Sequence, residues 1–265
     1  GNDGAKWEQL PSTEGMKNEV LMYRSQLPHY KYASCVHMPG CQVVPIGDDD
    51  GLDADAIAAA VTAKTACLML PQHLTDWYSC PPANLATLCE AAHAVGLPVV
   101  VDAAYLNYPL DLFRSFTTAG ADLVCFSAKY FYGPNAGGFV IGKEDLMQAV
   151  SGLDFTRYES GVYRSFGRPF KMGRYEVVAV LLALENWLNE DHAARWEIYA
   201  NRVRVIQQPL PRVKGLHTQA AFFTMDERLE ATPVNCLTLH FSNECHLSAE
   251  VVASRLSDGV PSIAS

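Results

Sequence analysis

Short apolar runs alternate with amphipathic stretches through the first half of the chain, and the two periods set out most of its elements. Runs rich in Val, Leu, Ile and Met, each too short for a buried helix, read as strands at Asn18–Tyr23, Gln42–Ile46, Thr65–Leu70, Val99–Asp102 and Leu123–Phe126. Between them, helical spacing predicts helices over Tyr32–Met38, Ala54–Thr62, Pro82–Val95 and Pro109–Ala119. Asp53 stands at the N-cap of the second of these, and Gly96 and Gly120 stop the last two. Gly137–Gly142 reads as a short strand returning antiparallel, with a helix over Lys143–Val150 behind it. Tyr175–Leu188 is an amphipathic helix with Val178, Leu181, Leu182 and Leu184 expected toward the core, and Glu190–Ile206 continues as a helical bridge. Beyond it, Asn235–Phe241 alternates as a half-buried strand, and Ser248 caps a helix reaching Leu256.

The β-α alternation across residues 19–141 predicts an α/β fold: a mostly parallel, doubly wound sheet with a smaller C-terminal α+β region. The expected division is a large domain over residues 1–190 and a bridging helix with a partial small domain over 191–265. The 265 residues are 49% hydrophobic and 18% charged, the balance of an ordinary globular protein. A formal charge of −9 without a Lys/Arg-rich run argues against a nucleic-acid partner. No apolar stretch reaches membrane-spanning length and no basic-then-apolar leader opens the chain, so the expected location is the cytoplasm. The 8 cysteines form no C-x-x-C pair, and the 8 histidines fall in no metal-binding spacing, so no metal is expected. Asp48-Asp49-Asp50 lacks the spaced ligands of a calcium loop and reads as a solvated turn.

Two strand ends carry chemistry. Val99–Asp102 ends in a carboxylate, and the next strand ends in Ser127-Ala128-Lys129, followed by aromatics and the break Gly133-Pro134. Open α/β sheets place their ligands at the carboxyl ends of parallel strands. A lysine there can form a Schiff base and an aspartate can hold a pyridinium nitrogen, the two groups pyridoxal 5'-phosphate (PLP) takes from its protein. A partly buried ion pair is the competing reading of the same residues. The loop Arg24–Tyr30 reads as a surface connection or as a wall of the site, and His73 leaves a third strand end nearby. Between Gly152 and Gly173 the chain has neither period, and its Arg157, Arg164, Arg168 and Lys171 suit an anionic substrate or a phosphate. No Gly-x-Gly-x-x-Gly, P-loop or Gly-x-Ser-x-Gly elbow competes with Asp102 and Lys129.

The chain resembles the fold-type-I PLP enzymes of the aminotransferase class V-like superfamily, and within them the selenocysteine synthase and D-glucosaminate-6-phosphate ammonia-lyase group. The resemblance rests on Leu10–Val20, Val101-Asp102-Ala103-Ala104, Gly120-Ala121-Asp122-Leu123-Val124 leading to Phe126-Ser127-Ala128-Lys129, Gly133-Pro134-Asn135 with Gly137-Gly138, and Gly167–Gly173. It implies that Lys129 carries the cofactor as a Schiff base and then removes the substrate α-proton, a role favoured by nearby positive charge and partial burial. It further implies that Asp102 pairs with the pyridine nitrogen and that Ser127, with Ala104 beside it, holds the cofactor. Arg168, Lys171 and Gln26 are the implied substrate contacts.

The implied activity is a PLP-dependent lyase acting by α,β-elimination on an anionic amino acid or amino-sugar acid, in a homodimer or larger homo-oligomer. A class V-type aminotransferase or selenium-transferase-like enzyme uses the same pair. The chain departs from its relatives in three places. Phe126-Ser127-Ala128-Lys129 is one residue shorter than the frequent Phe-Ser-Gly-Gly-Lys, and Gln26 stands where relatives often have histidine. The glycine-rich helix start that cradles the phosphate has no counterpart, so the chain reads as N-terminally incomplete, with an incomplete, non-catalytic PLP-fold protein as the remaining alternative.

Overall fold

The computed structural model describes residues 3–28, 30–48, 51–71, 84–160, 166–223 and 229–261. They form two compact units, Gly1–Asn189 and Glu190–Ser265. The first holds a six-stranded sheet in the order β2-β1-β3-β4-β5-β6. Its strands are β1 (Glu19–Tyr23), β2 (Gln42–Ile46), β3 (Thr65–Pro71), β4 (Val99–Asp102), β5 (Leu123–Ser127) and β6 (Gly138–Gly142). All neighbours run parallel except β6, which returns antiparallel on β5 with Ser127 opposite Gly138. The sheet is mostly parallel, as the β-α alternation predicts. Because β2 lies on one side of β1 and β3 on the other, the strand order reverses between β1 and β3, where a doubly wound sheet opens its ligand crevice.

Strand alternation divides the core. On one face Leu21, Tyr23, Leu68, Leu70, Val99, Val101, Val124 and Phe126 are buried in one cluster with Ile57, Leu88, Phe113 and Phe116. Those last four belong to α3 (Ala54–Ala60), α4 (Leu85–Ala94) and α5 (Leu112–Thr118). Asp53 accepts from Ala56 N and Asn84 from Ala86 N, so both helices start on side-chain caps. On the other face Val20 and Met22 pack with Tyr30 and with Val36 of the short helix α2 (Ala33–His37). A capped turn at the beginning, α1 (Gly4–Gln9), was not predicted; Asp3 accepts from its first amides.

At the amino end of β5, Asp122 is 2% exposed and accepts from Val99 N at 2.6 Å, which fixes β4 against β5. Its carboxylate also meets His93 Nε2 at 2.8 Å and Lys143 Nζ at 2.5 Å, tying in α4 and the start of α6 (Glu144–Gly152). The helix α7 (Arg174–Asn189) turns Val180 and Trp187 into the core with Ala183 and Leu184 beside them. Val178, Leu181 and Leu182, expected inward, are exposed. The segment is apolar nearly all round, so its period alone admits more than one inward face.

In the second unit, α8 (His192–Gln207) precedes the antiparallel sheet β8-β7-β9, formed by β7 (Leu216–Phe223), β8 (Leu229–Glu230) and β9 (Cys236–Phe241). α9 (Ala249–Ser257) follows, with Ser248 accepting from Val251 N. Trp196 of α8 stacks edge-on against Phe222 of β7, with ring centroids 5.3 Å apart. β7 was not predicted, because polar residues and alanines weaken its alternation.

Candidate functional site

β5 ends directly in a 3-10 turn, Ala128–Phe131, that carries Lys129. The turn is closed on both sides: Ala128 N donates to Gly137 O at 2.9 Å, and Gly133 N donates to Ala128 O at 2.8 Å. At Gly133 an added Cβ would lie 2.7 Å from the Ala128 Cβ, so only glycine admits this close return. Tyr132 ends the turn in the left-handed region, φ 65°. The Asn107 side chain, in the loop after β4, donates to Tyr130 O, and Trp187 Nε1 donates to Asn107 O at 2.8 Å. Lys129 itself is exposed, with Nζ 4.7 Å from the centre of the Tyr130 ring. No carboxylate pairs with it among the described residues. The partial burial expected of this lysine is therefore absent, since the turn lifts it off the strand end.

Asp102 stands at the carboxyl end of β4, and both of its oxygens have a donor. Ala104 N donates to Oδ1 at 3.1 Å and the Tyr30 hydroxyl to Oδ2 at 2.8 Å. Ala104 O in turn accepts from Ser127 N at 2.9 Å, so one residue joins the ends of β4 and β5. Tyr30 is 4% exposed; burial first, and then the charge and hydrogen bond of Asp102, push its phenol well above the ordinary range. Cys125, opposite Asp102 in the parallel register, has its thiol pushed up to about 11 by burial and by that carboxylate, so it stays protonated near neutral pH.

The remaining candidates are spread out. Gln26 is fully buried, and its side-chain amide donates to Pro71 O of β3 at 3.0 Å. Enclosed in this way, it does not present a surface to a solute; it supports the turn, and its main-chain carbonyl accepts from Tyr30 N at 3.0 Å. Arg168 is half-buried at the start of the turn Arg168–Phe170, and Lys171 is exposed just after it. Phe170 and Met172, either side of Lys171, line a groove of about 650 Å³ with Cys125, Gly138, Val140 and Asp154, within the size range of small-molecule sites. His73 and Arg164 lie outside the described residues.

Three features fit a PLP site. The lysine is accessible and unpaired by any described carboxylate. The aspartate has used two of its roughly four lone-pair sites and can take another donor. The two stand on neighbouring strand ends held in register by main-chain hydrogen bonds. Among the described residues no cluster of three or more metal-ligating side chains occurs, and no helix is long and apolar enough to cross a membrane. The sequence signal missed was Tyr30, which stood in the loop Arg24–Tyr30 without being matched to Asp102.

No family model matches the chain. It is 24% identical over 266 residues to a 5'-C-glycyluridine monooxygenase-decarboxylase from a Streptomyces species, covering 99% of this chain and 62% of that protein. It is 26% identical over 221 residues to D-glucosaminate-6-phosphate ammonia lyase from Salmonella typhimurium, covering 81% of this chain and 54% of the relative. Over 37% of the chain and 24% of the relative it is 31% identical to cysteine desulfurase CsdA of Escherichia coli. The solved structure of a D-glucosaminate-6-phosphate ammonia-lyase superposes with a TM-score of 0.76 at 23% identity, over 97% of this chain and 64% of that one. The chain thus spans less than two thirds of the length of these relatives. It is related to D-glucosaminate-6-phosphate ammonia-lyase and to the cysteine desulfurases, and its fold is that of the fold-type-I PLP enzymes.

Proposed function

We propose that this chain provides the lysine and aspartate of a PLP-dependent lyase that eliminates a β-substituent from an anionic amino acid or amino-sugar acid and releases ammonia. The observation that carries the reading is the juxtaposition of Asp102 and the Lys129 turn at the carboxyl ends of adjacent parallel strands, linked through Ala104. PLP, when bound, supplies an electron sink for the charge that develops at the substrate α-carbon. Lys129 would be the residue that holds the cofactor, and its exposed amine would be the group that takes a proton from the substrate. Asp102 would pair with the pyridine nitrogen, and Ser127 and Ala104, at the same strand ends, would be the residues beside it. Arg168 and Lys171 receive the acidic group of the substrate. The β-substituent leaves with its bonding electrons, and water converts the released unsaturated amine to a 2-oxo acid and ammonia. Association of the chain with copies of itself belongs to the same proposal, and light scattering after size exclusion reads it.

Adding PLP to the purified protein should produce a visible absorption band, and borohydride reduction should leave a mass adduct on the Lys129 peptide. Lys129→Ala should lose both. A wild-type protein without band or adduct, or an adduct that persists in the variant, overturns the reading. With candidate amino acids, 2-oxo acid and free ammonia in equal amounts support elimination, while dependence on an amino acceptor points to an aminotransferase.

A further inference from the structure

Asp102 is held from across the sheet. Tyr30 belongs to the connection leaving β1, while Asp102 ends β4, and β3 lies between these strands. The phenol reaches this far because its ring is seated in the apolar cluster of Val20, Met22 and Val36. The backbone that presents it is fixed at the buried Gln26, whose side-chain Nε2 donates to Pro71 O and whose main-chain carbonyl accepts from Tyr30 N. Three features therefore converge on one hydroxyl: a buried ring, a buried amide behind it, and a carboxylate 2.8 Å in front.

We propose that Tyr30 is a positioning residue for the cofactor site, occupying Oδ2 of Asp102 so that the carboxylate is turned with its remaining acceptor sites toward a pyridinium N–H. This rests on the PLP reading above. Among the described residues, Asp102, Cys35 and Cys125 are the titratable groups that act on the phenol, and Asp102 accepts its hydrogen bond. The phenol remains a donor through the alkaline range in which an ordinary tyrosine ionises.

The test uses the full chain with PLP as probe. Tyr30→Phe keeps the ring in its seat and removes only the hydroxyl. It should bind PLP roughly tenfold more weakly, the loss of one hydrogen bond to a charged group. The absorption band of the bound cofactor should also titrate at a different pH. Tyr32→Phe, whose exposed ring meets Tyr30 edge-on at 5.9 Å, should match the wild type. In an Asp102→Asn background, Tyr30→Phe should add nothing further to the loss of affinity. A Tyr30→Phe protein with wild-type affinity and wild-type pH profile overturns the proposal, even when its melting temperature falls, because that is a structural role only. A wild-type chain that takes up no PLP removes the functional reading and this role together; normal uptake indifferent to Tyr30 removes this role alone.

Discussion

Asp122 shows how much one buried carboxylate can organise. Burial alone would raise its pKa, but hydrogen bonds from Lys143, Val99 N and His93 outweigh that and hold it below the ordinary carboxylate range. A group whose folded value lies below its unfolded value contributes fully above the unfolded value and loses that contribution as pH falls toward the folded one. Asp122→Asn should therefore cost about 1–2 kcal/mol near neutral pH, since Lys143 and His93 are partly exposed and the amide can still accept from Val99 N. Thermal melts from pH 7 to pH 3 should show the gap between variant and wild type narrowing below about pH 4, where an unfolded aspartate takes up its proton. At this scale the sequence was partly legible. Asp102 and Lys129 stand out because polar residues end apolar runs. The burial of Gln26 was not legible because it depends on β3, a neighbour in space and not in sequence. Tyr30 was seen only as part of a loop for the same reason.

Among elements, the edge strand β6 is built to lie flush on β5. At Gly138 an added Cβ would collide with Phe126 O, and at Gly142 with Asp122 O. Gly138→Ala should lower stability by about 2 kcal/mol, as overpacking does. Its further effect should be to move β6 away from Ser127 and so from the Lys129 turn. Comparison of PLP uptake with the thermal melt of this variant checks whether the turn follows the strand. Strands and helices of the parallel sheet were readable from their periods, helped at α3 and α4 by the capping side chains of Asp53 and Asn84. The inward face of α7 was not, since an element apolar on most sides is oriented by what packs on it. β7 escaped notice for the opposite reason, having too little alternation to stand apart from a loop.

For the whole molecule, both buried clusters that hold the sheet are made from residues up to Trp187, inside the unit Gly1–Asn189. A fragment of residues 1–189 should therefore melt cooperatively on its own, with helix and strand content retained in circular dichroism; a broad, non-cooperative melt would show that the rest of the chain is needed for folding. All seven candidate site residues, from Gln26 to Lys171, fall in that same unit, so the fragment should also carry whatever PLP uptake the whole chain has.

Ala104 has a consequence of a different kind. Its amide holds the carboxylate of Asp102, and its carbonyl holds the amide of Ser127, two residues before Lys129. The connection between acid and amine runs through main-chain atoms alone, so it is indifferent to which side chain occupies the position. Side chains around this residue could change freely and leave the spacing of Asp102 and Lys129 untouched, because the frame that sets it is written in the backbone and not in the surface beside it.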